Sequence, residues 1–362
     1  MAVAYSRTLF GLISWYSFLI VAGILLAYLI GLHEEKRVGL PKETMTDAAL
    51  VAVPCGVIGA RLYFVAMEWE AFAANPLRIV YIWGGGVAIY GAVIGGGLGL
   101  YLYCKKKKLP FGKLADIIAP GLLLAQAIGR WGNYFNQEAF GPLLTDPALQ
   151  FFPMGVQIME GSGYAWHAAT FFYESLWDFL GFVSLWLLRK SQKRDGNLFL
   201  WYLVIYGSGR FLIEQLRMDS LWLLGLRISQ WLSLALVVFA AGSLLWRASR
   251  AQPKALFPAF LIFVAAIARW FIPTPGIYGA LLLLITGLWA WCMVWGMGSR
   301  QEFSFASLWF LLPWAIDAAC FIISWLNLMP YAREAQMLAV SVTLPCYCLW
   351  LAGWLGRANQ RS

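Results

Sequence analysis

Several charged side chains lie inside or beside long apolar stretches of this chain, where a charge is costly and often serves a function. Arg61, Arg130, Arg210 and Glu214 are the clearest cases. A guanidinium stays charged at any relevant pH, and its planar fork can bind two oxygens of a phosphate together. The anion that a membrane supplies is the phosphate of a phospholipid headgroup. These residue types therefore indicate a site for an anionic lipid.

Each of these side chains also has a structural interpretation. Arg210 and Glu214 are four residues apart, so they can form an ion pair on one helix face. Arg130 lies at the end of an apolar stretch, where its long side chain can extend to water. Arg61 follows Gly59-Ala60, small residues that permit close helix packing, and can have a structural partner there. The sequence leaves both interpretations open.

The elements that position these residues are helices within a membrane. Of the 362 residues, 61% are hydrophobic and 12% are charged, whereas soluble domains have roughly 25% charged residues. This composition excludes a soluble enzyme, a secreted disulfide scaffold and a disordered chain.

Stretches of about 20 apolar residues match the ~30 Å thickness of the hydrocarbon core of a membrane. Within that core, only helices satisfy their own backbone hydrogen bonds. We predict an all-α integral membrane protein with eleven spans, at 8–31, 45–66, 80–103, 112–129, 167–188, 197–213, 222–246, 255–272, 276–297, 303–325 and 337–355.

The distribution of basic residues predicts the orientation of these spans. Of the 27 Lys and Arg residues, 18 fall in connections on one side, which the positive-inside rule makes cytoplasmic. The N-terminus is then outside the cell and the C-terminus in the cytoplasm. The basic run at 105–108 marks topology, with a contact to anionic lipid as a second interpretation, so we expect no nucleic-acid partner. The long connection at 130–166 is predicted to form a small extracytoplasmic head.

Glycine is concentrated on both sides of Tyr90, at 84–86 and within 91–99. These glycines favour tight approach between helices, or a break where a lipid headgroup meets the backbone. The Tyr90 hydroxyl is a candidate site group, with an interfacial anchor as the alternative. The six cysteines lack metal-ligand spacing, so we expect free thiols, no metal and no cofactor.

The segment Gly129–Gly141, with the sequence GRWGNYFNQEAFG, resembles the signature of the prolipoprotein diacylglyceryl transferases. The resemblance covers residues 1–246 and implies a seven-span core at 1–248, with the head at about 130–166. Residues 249–362 are predicted to form an extension of about four further membrane helices. Further matches follow in the order of the family: Trp15-Tyr16, Gly59-Ala60-Arg61-Leu62-Tyr63, the Tyr90 glycine run, Tyr173-Glu174-Ser175, Gly209-Arg210-Phe211 with Glu214, and Arg227-Ile228-Ser229-Gln230.

The resemblance implies a reaction in the bacterial cytoplasmic membrane. This family transfers the diacylglyceryl group of phosphatidylglycerol to the lipobox cysteine in the signal peptide of a prolipoprotein, forming a thioether and releasing glycerol phosphate. The reaction needs a thiolate, since a thiol of pKa ~8.5 is only slightly ionised at neutral pH. It also needs cations beside the departing phosphate.

The resemblance also assigns roles to residues. Arg130 and Arg210 match the essential arginines of the family and are expected to hold the phosphate, with Tyr90 donating a hydrogen bond to it. Some relatives have histidine at position 90, whereas a tyrosine hydroxyl is a poor base at neutral pH. His167 is one residue out of the family's register, so we expect a helix-start or head residue, with base function as the alternative. The other expected substrate-binding residues are Arg61, Asn133, Asn136, Glu138, Gly141 and Glu214.

Two further hypotheses remain. A non-catalytic lipid-binding relative would keep the same fold. A membrane transporter is suggested by eleven spans with intramembrane charges, but it would be expected to show broken helices in two repeated halves. The polar residues instead concentrate in the first seven spans, which argues against transport.

Overall fold

The computed structural model describes residues 8–9, 11, 13–82, 85–161, 163–190, 192, 194–217, 222–223 and 226–249. The four predicted C-terminal spans lie outside the described residues. The described chain forms two compact units. The first contains described residues of 1–138 and 194–199, and the second contains those of 139–193 and 200–249.

The described chain is largely helical, with three small antiparallel hairpins. The hairpins pair β1 (Thr8–Leu9) with β2 (Ile13–Ser14), β3 (Gly155–Glu160) with β4 (Gly163–Ala168), and β5 (Trp222–Leu223) with β6 (Leu226–Arg227). Short 3₁₀ turns cover Pro76–Ile79, Pro147–Leu149 and Glu214–Leu216. The helices are α1 (Trp15–Val38), α2 (Thr44–Met67), α3 (Trp69–Ala73), α4 (Ile89–Lys107), α5 (Phe111–Asn136), α6 (Thr170–Leu188), α7 (Asn197–Ile213) and α8 (Ile228–Ser249).

Four of the described helices are long and apolar enough to cross a membrane: α1, α2, α5 and α6. Their large apolar side chains are often exposed, as at Val21, Leu50 and Leu187. Because water penalises such surface, these faces suit contact with lipid. The protein is therefore an integral membrane protein, and the count of seven spans stays a prediction.

Helix ends differ from the predicted spans where apolar sequence forms turns. Residues 80–82 and 85–88, predicted to begin a span, precede α4, and Gly85 and Gly86 there have positive φ angles of 85° and 78°. The strands Thr8–Leu9 and Ile13–Ser14 form a hairpin before α1, and Trp222–Leu223 and Leu226–Arg227 form one before α8. Conversely, α5 extends to Asn136, seven residues beyond the predicted end of that span.

Small residues set the helix packing in the first unit. A Cβ atom at Gly91 would overlap the Gly59 carbonyl, and one at Gly95 would overlap the Cys55 carbonyl, so α2 and α4 approach backbone to backbone. A Cβ atom at Gly23 would lie 3.1 Å from the backbone of Ala125, where α1 meets α5. The structure thus confirms tight helix approach as a role of the glycines after Tyr90.

Carboxylates from neighbouring helices cap helix ends in the first unit. Glu35 of α1 accepts hydrogen bonds from the backbone N–H groups of Glu43 (3.1 Å) and Met45 (2.5 Å), at the start of α2. Asp116 of α5 accepts from the N–H groups of Gly196 and Phe199, both at 2.7 Å, at the start of α7. The sequence gives no direct sign of these caps, because the acceptor is distant along the chain.

The second unit contains the segment that was predicted to form a head. Its main element is the β3–β4 hairpin, which the preceding chain extends through hydrogen bonds from Gly141 N to Ala168 O (2.9 Å) and from Leu144 N to Trp166 O (2.7 Å). Because α5 runs to Asn136, this segment begins later than the predicted residue 130.

Candidate active site

A buried group of three charged side chains lies in the second unit. Arg210 of α7 donates from Nη1 to both oxygens of Glu174 on α6, at 3.3 and 3.4 Å. Its Nη2 lies 2.7 Å from Oε2 of Glu214. The side chains of Glu174, Glu214 and Arg210 are 5%, 3% and 17% exposed. The predicted pairing of Glu214 with Arg210 is confirmed, and the guanidinium is held from two sides.

A glycine next to Arg210 permits this contact between α6 and α7. A Cβ atom at Gly209 would overlap the Trp177 indole, whose Nε1 donates to the Ile205 carbonyl at 2.9 Å. The absence of a side chain at Gly209 lets this indole pack directly on α7. Glu174 lies one turn before Trp177 on the same face of α6, which directs its carboxylate to Arg210.

Residues just before and within the first turn of α8 form hydrogen bonds with the end of α7. Arg227 donates from Nη1 to the Glu214 carbonyl. Gln230 donates from Nε2 to the Phe211 carbonyl (3.1 Å), and its Oε1 accepts from Arg227 N (3.0 Å). Arg227 and Gln230 are both buried. This motif therefore fixes the backbone immediately after Arg210.

The signature segment in the first unit has a hydrogen-bonded arrangement of its own. Asn133 and Asn136 donate from Nδ2 to Oε1 of Glu138, at 3.0 and 3.2 Å, and Glu138 N donates to Asn133 O at 3.0 Å. Glu138 thus folds back on the end of α5. Three of the predicted site residues are brought together here, at the end of the helix that also carries the half-buried Arg130.

Aromatic packing against α1 holds this end of α5. The rings of Trp15 and Phe135 are stacked with centroids 4.8 Å apart. A Cβ atom at Gly132 would lie 2.6 Å from the Tyr16 ring, so the glycine makes room for that ring. Arg130 therefore lies beside a closely packed part of α5.

Tyr90 is the second residue of α4 and is 43% exposed. Its ring lies 6.3 Å from that of Tyr63 on α2. The hydroxyl makes no hydrogen bond with another described residue, so it is available to a ligand.

Arg61 of α2 is 7% exposed, and all five of its N–H donors bind backbone carbonyls. A guanidinium has five such donors. This geometry favours the structural interpretation over the predicted contact with a headgroup. The acceptors are Ile79 (2.8 Å from Nε), Gly85 and Gly86 (2.8 and 2.7 Å from Nη1), and Arg78 and Tyr81 (2.6 and 2.9 Å from Nη2).

Gly141 and His167 meet in the head segment. His167, in β4, has Nδ1 2.9 Å from the Gly141 carbonyl and Nε2 3.0 Å from Oε1 of Glu160. His167 thus lies in the β3–β4 hairpin, before α6 begins at Thr170. The hydrogen-bond contact between Nδ1 and the Gly141 carbonyl favours a role in fixing Gly141, and base function stays a prediction.

The sequence does not reveal every residue of this arrangement. Glu174 received no role, although its Tyr173-Glu174-Ser175 segment was among the family matches and was the available signal. Asp178 and Asp116 sit near span ends, which suggests solvation, but Asp178 is fully buried and Asp116 caps a helix. Among the described residues, no cluster of His, Cys, Asp and Glu is suited to hold a metal ion.

The fold and site define a multi-helix membrane protein whose buried arginines are positioned by carboxylates and carbonyls. A family model described as prolipoprotein diacylglyceryl transferase matches residues 7–246. The chain belongs to this family, and it is therefore a transferase of a bacterial membrane.

Several relatives are called phosphatidylglycerol–prolipoprotein diacylglyceryl transferase. The protein from Pediococcus pentosaceus is 42% identical over 242 residues, which are 65% of this chain and 86% of the relative. The one from Listeria innocua is 42% identical over 246 residues, or 67% and 88% of the two chains. The one from Bacillus cytotoxicus is 46% identical over 229 residues, or 62% and 84%.

Proposed function

We propose that this protein transfers the diacylglyceryl group of phosphatidylglycerol to the lipobox cysteine thiol of prolipoproteins, the first step of bacterial lipoprotein maturation. The observation that carries the proposal is the family match over residues 7–246, which includes every site residue discussed above. The relatives are named as transferases, so the alternatives of a transporter and a non-catalytic relative are not favoured.

The proposed reaction is a displacement at carbon. The thiol loses its proton, to a carboxylate or to the departing phosphate. The thiolate then forms the S–C bond to the glycerol carbon, while the C–O bond to the phosphate breaks and its electron pair stays on the phosphate oxygen. The products are the thioether and glycerol phosphate.

Arg210 is proposed to bind the phosphate through the edge that its carboxylate partners leave open. Glu174 and Glu214 engage Nη1 and Nη2, and Nε makes no hydrogen bond with another described residue. The two carboxylates fix the guanidinium, so little reorganisation accompanies charge development on the leaving group. With both ionised, the trio has one net negative charge, and Arg227 adds a positive charge beside it.

Arg130 is proposed as the second phosphate-binding arginine, on the basis of its place in the signature segment. Asn133, Asn136 and Glu138 would orient the headgroup or the guanidinium from the same end of α5. Tyr90 would donate its hydroxyl to a phosphate oxygen. We further propose that residues 1–248 are the catalytic core, that 249–362 are an extension, and that the site faces outward, with the N-terminus outside and the C-terminus in the cytoplasm.

A purified assay tests the proposed reaction. The full-length protein is incubated with phosphatidylglycerol and a lipobox peptide that carries either cysteine or serine. We expect diacylglyceryl transfer and glycerol phosphate release with the cysteine peptide only. Absence of transfer from phosphatidylglycerol, with protein that is folded and monodisperse, would contradict the proposal.

A further inference from the structure

The side chain of Arg61 binds the connection between α2 and α4 at several points. We call the described residues 68–82 and 85–88 the α2–α4 loop. Every guanidinium N–H of Arg61 binds a carbonyl of this loop, and the ring of Phe72 lies 5.1 Å from its Cζ. Phe72 is the only buried residue of α3. The Arg61 side chain thus contacts α3, the 3₁₀ turn Pro76–Ile79 and the glycine segment before α4.

The glycine segment is shaped to reach this guanidinium. Gly86 has a positive φ angle of 78°, which side chains rarely adopt, and a Cβ atom there would lie 2.6 Å from Arg61 Nη1 and 2.8 Å from the Phe64 ring. The N–H of Ala88 binds the Ala60 carbonyl at 3.1 Å, which joins the end of the loop to the same part of α2. The backbone shape of the loop and the positions of its carbonyls therefore match the guanidinium of Arg61.

We propose that Arg61 is a positioning residue that holds the α2–α4 loop and thereby sets the start of α4, where Tyr90 lies. Its five donors are used within the protein, so it does not bind the headgroup. Lysine keeps the charge but has three donors on a flexible stem, and it cannot replace a planar five-donor group. The effect on transfer rests on the proposed function, whereas the loop-holding role does not.

Limited trypsin digestion of the purified full-length protein tests the loop-holding role without any activity measurement. The Arg78 side chain is exposed, whereas the carbonyl of its Arg78–Ile79 bond is bound by Arg61. Cleavage at this bond requires the loop to open, and its rate follows the population of the open form. The cleavage is quantified by mass spectrometry of the peptide that ends at Arg78.

The variant Arg61→Lys is expected to be cleaved after Arg78 roughly tenfold faster or more than the wild type, because lost hydrogen bonds to a charged group favour opening. Gly86→Ala should have the same effect with Arg61 intact, and it tests the proposal if Arg61→Lys does not fold. Arg37→Lys, in an ion pair with Glu34 at the far end of α1, is the matched control and should be cleaved as the wild type is.

Wild-type cleavage rates in both Arg61→Lys and Gly86→Ala would overturn the loop-holding role. In the transfer assay, Arg61→Lys should lower kcat by about tenfold or more through displacement of the site, and it should add little further loss in a Tyr90→Phe protein. An increase in KM for phosphatidylglycerol alone, with an unchanged cleavage rate, would instead show direct headgroup binding. If the wild type transfers nothing, the proposed function fails while the cleavage result still stands.

Discussion

Arg61 and Arg210 are both enclosed by protein, but their partners give them different capacities. Arg210 binds two carboxylates and keeps Nε without a hydrogen bond to a described residue. Arg61 binds carbonyls with every donor that it has. Only the arrangement around Arg210 leaves a donor for a phosphate oxygen. We therefore expect the number of unused donors, rather than burial, to separate a ligand-binding arginine from a structural one.

Tyr90→Phe tests the proposed hydrogen bond from the tyrosine hydroxyl. Hydrogen bonds to charged groups contribute about 1.5–3 kcal/mol, so we expect kcat/KM to fall roughly tenfold to a hundredfold. Thermal stability should not change, because the hydroxyl has no hydrogen bond within the described chain. Steady-state kinetics with the cysteine peptide gives the measurement.

Tyr63→Phe is the matched control, since its ring lies 6.3 Å from that of Tyr90 and it has no assigned role. Its turnover should equal that of the wild type. If Tyr90→Phe also has unchanged turnover, the hydroxyl is not part of the mechanism.

At the scale of elements, the start of α7 depends on Asp116. This carboxylate accepts two backbone N–H bonds that no carbonyl within α7 can accept. Asp116→Ala should lower the free energy of unfolding by about 1–2 kcal/mol, as loss of a helix cap does. The measurement is the midpoint of thermal unfolding in detergent.

Asp116→Asn retains one acceptor oxygen, so we expect a smaller shift of the midpoint. Asp146→Ala, which removes an exposed cap on a short 3₁₀ turn, is the control for loss of a carboxylate and should have little effect. A midpoint equal to that of the wild type in Asp116→Ala would show that the cap contributes nothing to stability.

Hydropathy predicted the existence of the helices better than their ends. The predicted span 197–213 has the bounds of α7, whereas the span predicted from residue 80 begins only at Ile89. Val80, Tyr81, Ile82 and Val87 are apolar and resemble the start of a span, but in the structure they belong to the connection that Arg61 holds. Hydropathy cannot separate an apolar connection from a membrane helix, because both lack charge.

The candidate site was predictable where it coincides with the family motifs. The signature segment identified the residues that meet at Glu138, and the Gly209-Arg210-Phe211 motif identified Arg210 together with Glu214. The second carboxylate, Glu174, and the carbonyls around Arg61 were not assigned. Both contacts join residues distant in sequence, and spacing along the chain does not reveal them.

At the scale of the whole molecule, the family match ends at residue 246 and the relatives are covered over more than four fifths of their lengths. We therefore expect a chain that ends at residue 249 to transfer the diacylglyceryl group at a rate similar to that of the full chain. The comparison uses the same peptide assay on both purified proteins. Loss of transfer in a folded, monodisperse truncated protein would show that residues 250–362 contribute to the site.

We propose that Arg130 and Arg210 stabilise the phosphate while a cysteine sulfur displaces it. The most direct measurement is the transfer rate of purified Arg130→Ala and Arg210→Ala proteins, with Arg37→Ala as a control outside the site and Arg210→Lys to retain the charge. Each alanine variant should lose about 2.7–4 kcal/mol of transition-state stabilisation, roughly a hundredfold or more in kcat, and Arg210→Lys should recover only part of it. Rates close to that of the wild type in both alanine variants would contradict the claim.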